Sequence, residues 1–182
     1  DNNNDGFTDL TLVDRISVFN KLDFKNKLSV ATRYIYEDRW GGQMNWSSSF
    51  RGGKEVYGES IYTSRIEVFG KYDFNKNLFF QFSFNNHDQN SVYGNVPYLA
   101  QQKIAFSQFY WDKKLDLHDI LVGAAYRFNY YDDNTFATLS SDTLNPTNKP
   151  DIASLPGIFV QDAISLNEKN KVLLGVRYDY DS

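Results

Sequence analysis

The chain has 182 residues, a formal net charge of -4 and a pI near 5.1, with no cysteine and one methionine. Disulfide and thiol chemistry are therefore excluded, no basic patch argues for nucleic acid, and no apolar run approaches the roughly 18 residues that a membrane-crossing helix needs. Aromatic residues make up 17% of the chain, led by 15 Phe and 13 Tyr, a bias that suits strands and membrane interfaces better than a compact soluble core.

Alternation of period two runs along nearly the whole length and predicts eight strands. The first, from about Asp14 to Phe24, sets Ile16, Val18, Leu22 and Phe24 against Arg15, Ser17, Lys21 and Asp23. The second, Leu28 to Trp40, sets Val30, Tyr34 and Tyr36 against Ala31, Arg33 and Glu37. The third, from Ser60, puts Tyr62, Ile66, Val68 and Tyr72 opposite Thr63, Arg65 and Glu67; the fourth alternates Leu78, Phe80, Phe82 and Phe84 with Gln81, Ser83 and Asn85. The fifth, Gln101 to Leu115, is ambiguous, because Phe109 and Trp111 fall opposite Ile104, Phe106 and Tyr110. The sixth carries Ile120, Val122, Tyr126 and Phe128 against Gly123, Ala125 and Arg127. The seventh and eighth carry Ile158, Val160 and Ile164, then Val172, Leu174, Val176 and Tyr178, against small or polar partners.

Short links at 25–27, 75–77, 113–118 and 167–170 alternate with expected long loops at 41–59, 86–100 and 132–156. Tight turns at one end and long loops at the other are the pattern of outer-membrane barrels. Tyr62 and Tyr72 bracket Ile66 and Val68; ten residues at about 3.3 Å, tilted by roughly 40°, give a height of about 25 Å, that of the apolar band between aromatic girdles. The expected fold is all-β, an antiparallel transmembrane β-barrel segment covering residues 1–182. Residues 1–13 form a loop and strand entry, and 14–182 form the wall. A complete eight-stranded barrel and a soluble β-sandwich are the alternatives. Asp162 conflicts with the pattern: it falls on the apolar face between Val160 and Ile164, and either an interfacial position or a bulge that turns it inward accommodates it. The chain begins at Asp1 without a Met or a leader and stops at Ser182 just after a strand pattern, so it reads as a segment of a longer protein.

Gly157-Ile158-Phe159-Val160-Gln161-Asp162, followed after a tight turn by Leu174-Gly175-Val176-Arg177-Tyr178-Asp179, resembles a recurrent pairing in the barrels of TonB-dependent outer-membrane receptors, the ferric-siderophore, haem and cobalamin uptake group. The stretches Asp1 to Asp9 and Tyr36 to Met44 resemble the branch common in gut Bacteroidetes. The resemblance implies a bacterial outer-membrane location, a larger plugged barrel of about 22 strands, a metal-chelate or cofactor ligand, and coupling to the TonB system through regions outside this chain. No plug-like segment or TonB box is recognisable here.

Within Asp1 to Asp9, the residues Asp1, Asn3, Asp5, Phe7 (through its carbonyl) and Asp9 occupy ligand positions of a calcium loop, with Gly6 at the sharp turn. Leu12 stands where a bidentate Glu belongs, and an acidic, Asn-rich turn is the alternative reading. Trp40, Met44, Trp46, Phe50, Tyr57, Tyr93 and Tyr98 fall in or beside the long loops. Trp46 and Tyr93, read as mid-loop, are the candidate ligand-stacking residues. His87, at the expected start of a loop, is a weaker candidate for haem ligation, and His118 lies in a short turn with no evident partner. With no G-x-S-x-G and no organised nucleophile and base, no enzyme activity is expected. Arg33, Glu37, Arg65, Glu67, Arg127 and Arg177 are expected to form ion pairs along the inside of the wall.

Overall fold

Every predicted strand forms, because each presents one apolar and one polar side at the strand period. The computed structural model describes residues 1–25, 27–142 and 144–181. Its strands are β1 (Leu12–Phe24), β2 (Leu28–Gly42), β3 (Gly58–Asp73), β4 (Leu78–Tyr93), β5 (Val96–Leu115), β6 (His118–Asp133), β7 (Asp151–Ser165) and β8 (Lys171–Asp179). They lie in one antiparallel sheet in chain order. Among the described residues no ladder joins β8 to β1, so the sheet is open, and no second sheet packs on it.

The ladders assign every side chain to one of two faces. On the apolar face one row runs Phe24, Leu28, Tyr72, Phe80, Phe109, Ala124, Ile158 and Tyr178. The ambiguity of β5 is resolved here. Phe109 lies beside Phe80 and Ala124, and Trp111 beside Leu78 and Val122, so both belong to the apolar face. Ile104, Phe106 and Tyr110 fall on the charged face, next to Asn85, Ser83 and Phe79. The charged face is the better covered one: Ala31, Glu37 and Ala125 are buried while Tyr34, Tyr126 and Ile158 on the apolar face are exposed.

The register also fixes an inclination. Hairpin β1–β2 ends at the pair Phe24 and Leu28, whose row reaches Ile158 in β7. Hairpin β7–β8 ends at Ser165 and Lys171, seven residues further along β7. Aligning these turns in one plane takes a stagger of about 23 Å across six strand spacings of roughly 4.8 Å. The strands then lean by about 39°, within the tilt of closed barrels.

One expected loop is absent. Residues 86–100 do not form a long loop: β4 continues to Tyr93, β5 starts at Val96, and only Gly94 and Asn95 join them. Gly94 has φ +61°, as the first position of a two-residue primed hairpin requires. The polar residues of this stretch looked like loop but lie in the ladder, where Gln101 Nε2 donates across to Asp88 Oδ1 at 2.7 Å and Gln89 Nε2 donates along β4 to Ser91 Oγ at 2.8 Å. The strict alternation of short and long links therefore fails at this hairpin. The other two long links persist as 43–57 and 134–150, each with one 3-10 turn.

Candidate functional site

The acidic-loop residues and the two stacking candidates gather at the long-loop end of the sheet. The loop 1–9 is tied to the end of β2: Thr8 N donates to Gly42 O at 2.8 Å, Met44 N to Gly6 O at 2.8 Å, and Phe7 bridges to Gln43. Phe7 lies 6.4 Å from the Tyr57 ring, which in turn packs beside Gly94, the neighbour of Tyr93. The acidic loop, the 43–57 loop and the β4–β5 hairpin thus share one rim. The Glu59 carboxylate accepts from the Tyr57 hydroxyl at 2.6 Å and pushes this phenol above its ordinary pKa.

The two stacking candidates fare differently. Trp46 is only 7% exposed and stacks on Trp40 with ring centroids 5.1 Å apart. It presses on Gly58, where a Cβ would run into the indole. Trp46 is therefore packed inside its loop and offers no free ring face of the kind expected of it. Tyr93 is not mid-loop but closes β4 opposite Val96. It shares the charged face with Glu59 and remains exposed at the rim.

In the acidic loop, the Asp1 carboxylate accepts from Asp5 N at 3.2 Å and Gly6 N at 2.9 Å. Asp5 Oδ1 accepts from Phe7 N at 2.8 Å, and Gly6 takes φ +82°. The donor chemistry suits a hard cation: carboxylate, amide and carbonyl oxygens without sulfur or imidazole. The arrangement is not converged, however. Asn3 turns its amide nitrogen to Asp5 Oδ2, and Asp9 Oδ2 accepts from Asn2 N. Among the described residues no group of three or more His, Cys, Asp or Glu is set to hold a metal.

The charged face carries separate clusters of ion pairs. Glu67 takes Arg33, Arg65 and the Asn85 amide; Glu37 takes Arg15 at 2.9 Å and Arg39 at 2.6 Å; Arg177 grips Asp179 through two bonds. The expected ion pairs form for Arg33, Glu37, Arg65, Glu67 and Arg177, whereas Arg127 joins none of these pairs and lines a hollow with Phe106 and Leu155. His87 does not start a loop. It lies within β4 on the charged face between Arg65 and Gln102.

The two motif segments in β7 and β8 are direct ladder partners, from Gly157 opposite Asp179 to Asp162 opposite Leu174. A side chain at Gly157 would displace the Asp179 carboxylate that holds Arg177. No family model matches the chain, and neither a curated protein nor a solved structure matches it.

Proposed function

We propose that this chain is part of the barrel wall of a TonB-dependent outer-membrane receptor that imports a metal chelate or cofactor, with a ferric siderophore, haem or cobalamin as the ligand class. The observation that carries the membrane reading is the continuous apolar face, exposed across all eight strands and left without a covering layer. A soluble protein of this size would bury such a surface. Val176, 71% exposed on this face, adjoins Arg177 on the other, the alternation that lipid outside and a polar lumen demand.

Open edges at β1 and β8 favour a larger barrel over a small closed one, since unpaired strand edges call for further strands. A sandwich needs two packed sheets, and all eight strands lie in one. The choice of receptor family rests on the motif pair in β7 and β8 and on the acidic loop at the rim. Calcium is the proposed ion for that loop, with Asn3 offering it the amide oxygen and Asp9 its carboxylate.

The test uses the intact protein in its own cells. The membrane reading predicts that it pellets with outer membranes and resists carbonate extraction; release into the soluble fraction would overturn it. The receptor reading predicts that uptake of labelled haem, cyanocobalamin or a ferric catecholate needs the intact gene and stops when a protonophore is added. Uptake of all three unchanged on gene deletion would leave a barrel without this transport role.

A further inference from the structure

The apolar face carries two lysines, and both belong to β5. Lys103 sits between Asn86 and Tyr130, and Lys113 beside Ile120. The other lysines and arginines of the strands fall on the charged face. Ten residues separate the pair, about 33 Å along the strand and about 26 Å in height at the lean of these strands. The apolar band of an outer-membrane barrel has about this height, roughly 25 Å. Each ammonium lies over an aromatic ring, Lys103 at 5.0 Å from the centre of Tyr130 and Lys113 at 5.9 Å from that of Trp111. Among the described residues neither lysine is ion-paired. A lysine held in this way lays its methylenes on apolar surface and keeps its charge at the border.

The two borders differ in charge. Lys103 lies one row below Gln101, which is flanked by Asp88 and Asp132, so an anion approaching it meets two carboxylates. Lys113 has no such row beside it. Asp112 and Asp119 fall on the opposite face, where Asp119 stands across from Lys114, and Asp116 lies in the β5–β6 turn. Asp162 stands two strands away in the row of Lys113, about 10 Å off. Its Oδ2 is held by His118 at 2.6 Å and its Oδ1 is buried, so it has no free oxygen for a cationic ligand. The 75–77 turn adds a second cation. Asp112 N donates to Asn77 O at 2.8 Å and Asn77 Nδ2 to Asp112 O at 2.7 Å. This holds Lys76, exposed and also without an ion pair among the described residues, beside the same end of β5. Around the two lysines the face is apolar, with Phe74 meeting Phe109 at 5.6 Å and Trp111 beside Val122. A bare anion in water gains little from exposed lysines. An anion carried on an apolar tail also gains from the aromatic surface next to them. A zwitterionic head brings its own cation and cancels most of the attraction.

We propose that Lys76 and Lys113 form a binding site for an anionic phospholipid of the phosphatidylglycerol class, in the leaflet on the short-turn side of the wall. The phosphate lies between the two ammonium groups, and the acyl chains lie along Trp111, Phe109 and Phe74. The site rests on the membrane reading, and the test separates the two.

The test places the intact protein in phosphatidylcholine nanodiscs that contain the same small fraction of a chain-brominated lipid, either phosphatidylglycerol or phosphatidylcholine. Bromine quenches indole fluorescence at short range, and the difference between wild type and Trp111→Phe isolates the emission of Trp111. The expected result is quenching about twofold stronger from the brominated phosphatidylglycerol, the excess that screened lysine pairs provide. That excess should shrink in molar salt, persist in Lys113→Arg and vanish in the double variant Lys76→Gln/Lys113→Gln. Circular dichroism and heat-modifiable migration show whether the variants are folded, and the comparison of lipids in the wild type needs no variant. Equal quenching by the two brominated lipids would overturn the site and leave the membrane reading standing. An excess undiminished in the folded double variant would overturn the site as well. No quenching by either lipid would overturn the membrane reading and the site with it.

Discussion

His118 Nδ1 lies 2.6 Å from Asp162 Oδ2, on the apolar face at the short-turn end of β6 and β7. Pairing runs without interruption from His118 opposite Ile164 to Ile120 opposite Asp162, so no bulge turns the carboxylate inward. Lys113 falls in the same cross-strand row as Ile120. Together these polar groups mark the lower limit of the apolar band, just as Asp88, Gln101 and Asp132 mark the upper one. Above the lower limit, Tyr72, Phe74 and Phe109 meet edge to face at 4.8 and 5.6 Å, forming an aromatic border.

A carboxylate at such a border costs little. Asp162→Ala and His118→Ala are therefore each expected to change the folding stability of the intact barrel in lipid vesicles by about 1 kcal/mol or less. Val160→Asp, one residue pair deeper in the band, should cost more than either. Denaturant titration in vesicles measures all three, and equal costs at 160 and 162 would place the border elsewhere.

Val176 and Arg177 test the face assignment directly. If the apolar face meets lipid, Val176→Arg places a guanidinium near mid-band and costs about 2–4 kcal/mol. Arg177→Val loses an exposed, solvent-screened pair with Asp179 and is expected to cost less than Val176→Arg. Reversal of that order in the same titration would exchange the two faces.

Gly58 supports the rim by leaving room for Trp46. Gly58→Ala forces the indole off its place against Trp40, with an expected destabilisation of about 1–3 kcal/mol from overpacking. The measurement is the near-ultraviolet circular dichroism of the intact protein, whose stacked-indole signal should fall in Gly58→Ala and also in Trp46→Phe. A spectrum unchanged in Gly58→Ala would show that the loop absorbs the methyl group.

For the acidic loop, the expected calcium affinity is weak, in the roughly 10⁻⁴–10⁻³ M range of extracellular modules, because the bidentate Glu is replaced by Leu12. Calorimetry on the intact protein should give binding heat that Asp5→Ala abolishes. No heat in the wild type would leave the loop as a turn held by the Asp1 and Asp5 side chains.

The sequence by itself determined the strands and most of their faces, because period-two alternation is a local property and each strand carries its own record of it. Ile16, Val18, Val122 and Val176 needed no partner to be placed. Tertiary structure alone decided the rest, and in each case the reason is that the deciding neighbour is distant in sequence. The aromatics of β5 lie on both faces, so only its register with Phe80 and Ala124 could sort them. The stretch from Asn86 to Ala100 has the composition of a loop, and the β4–β5 ladder with the cross-strand bond from Gln101 to Asp88 holds it as a hairpin. Trp46 looked free until the loop folded it between Trp40 and Gly58, and Asp162 lacked a reason until the β6–β7 ladder brought His118, 44 residues earlier, against it.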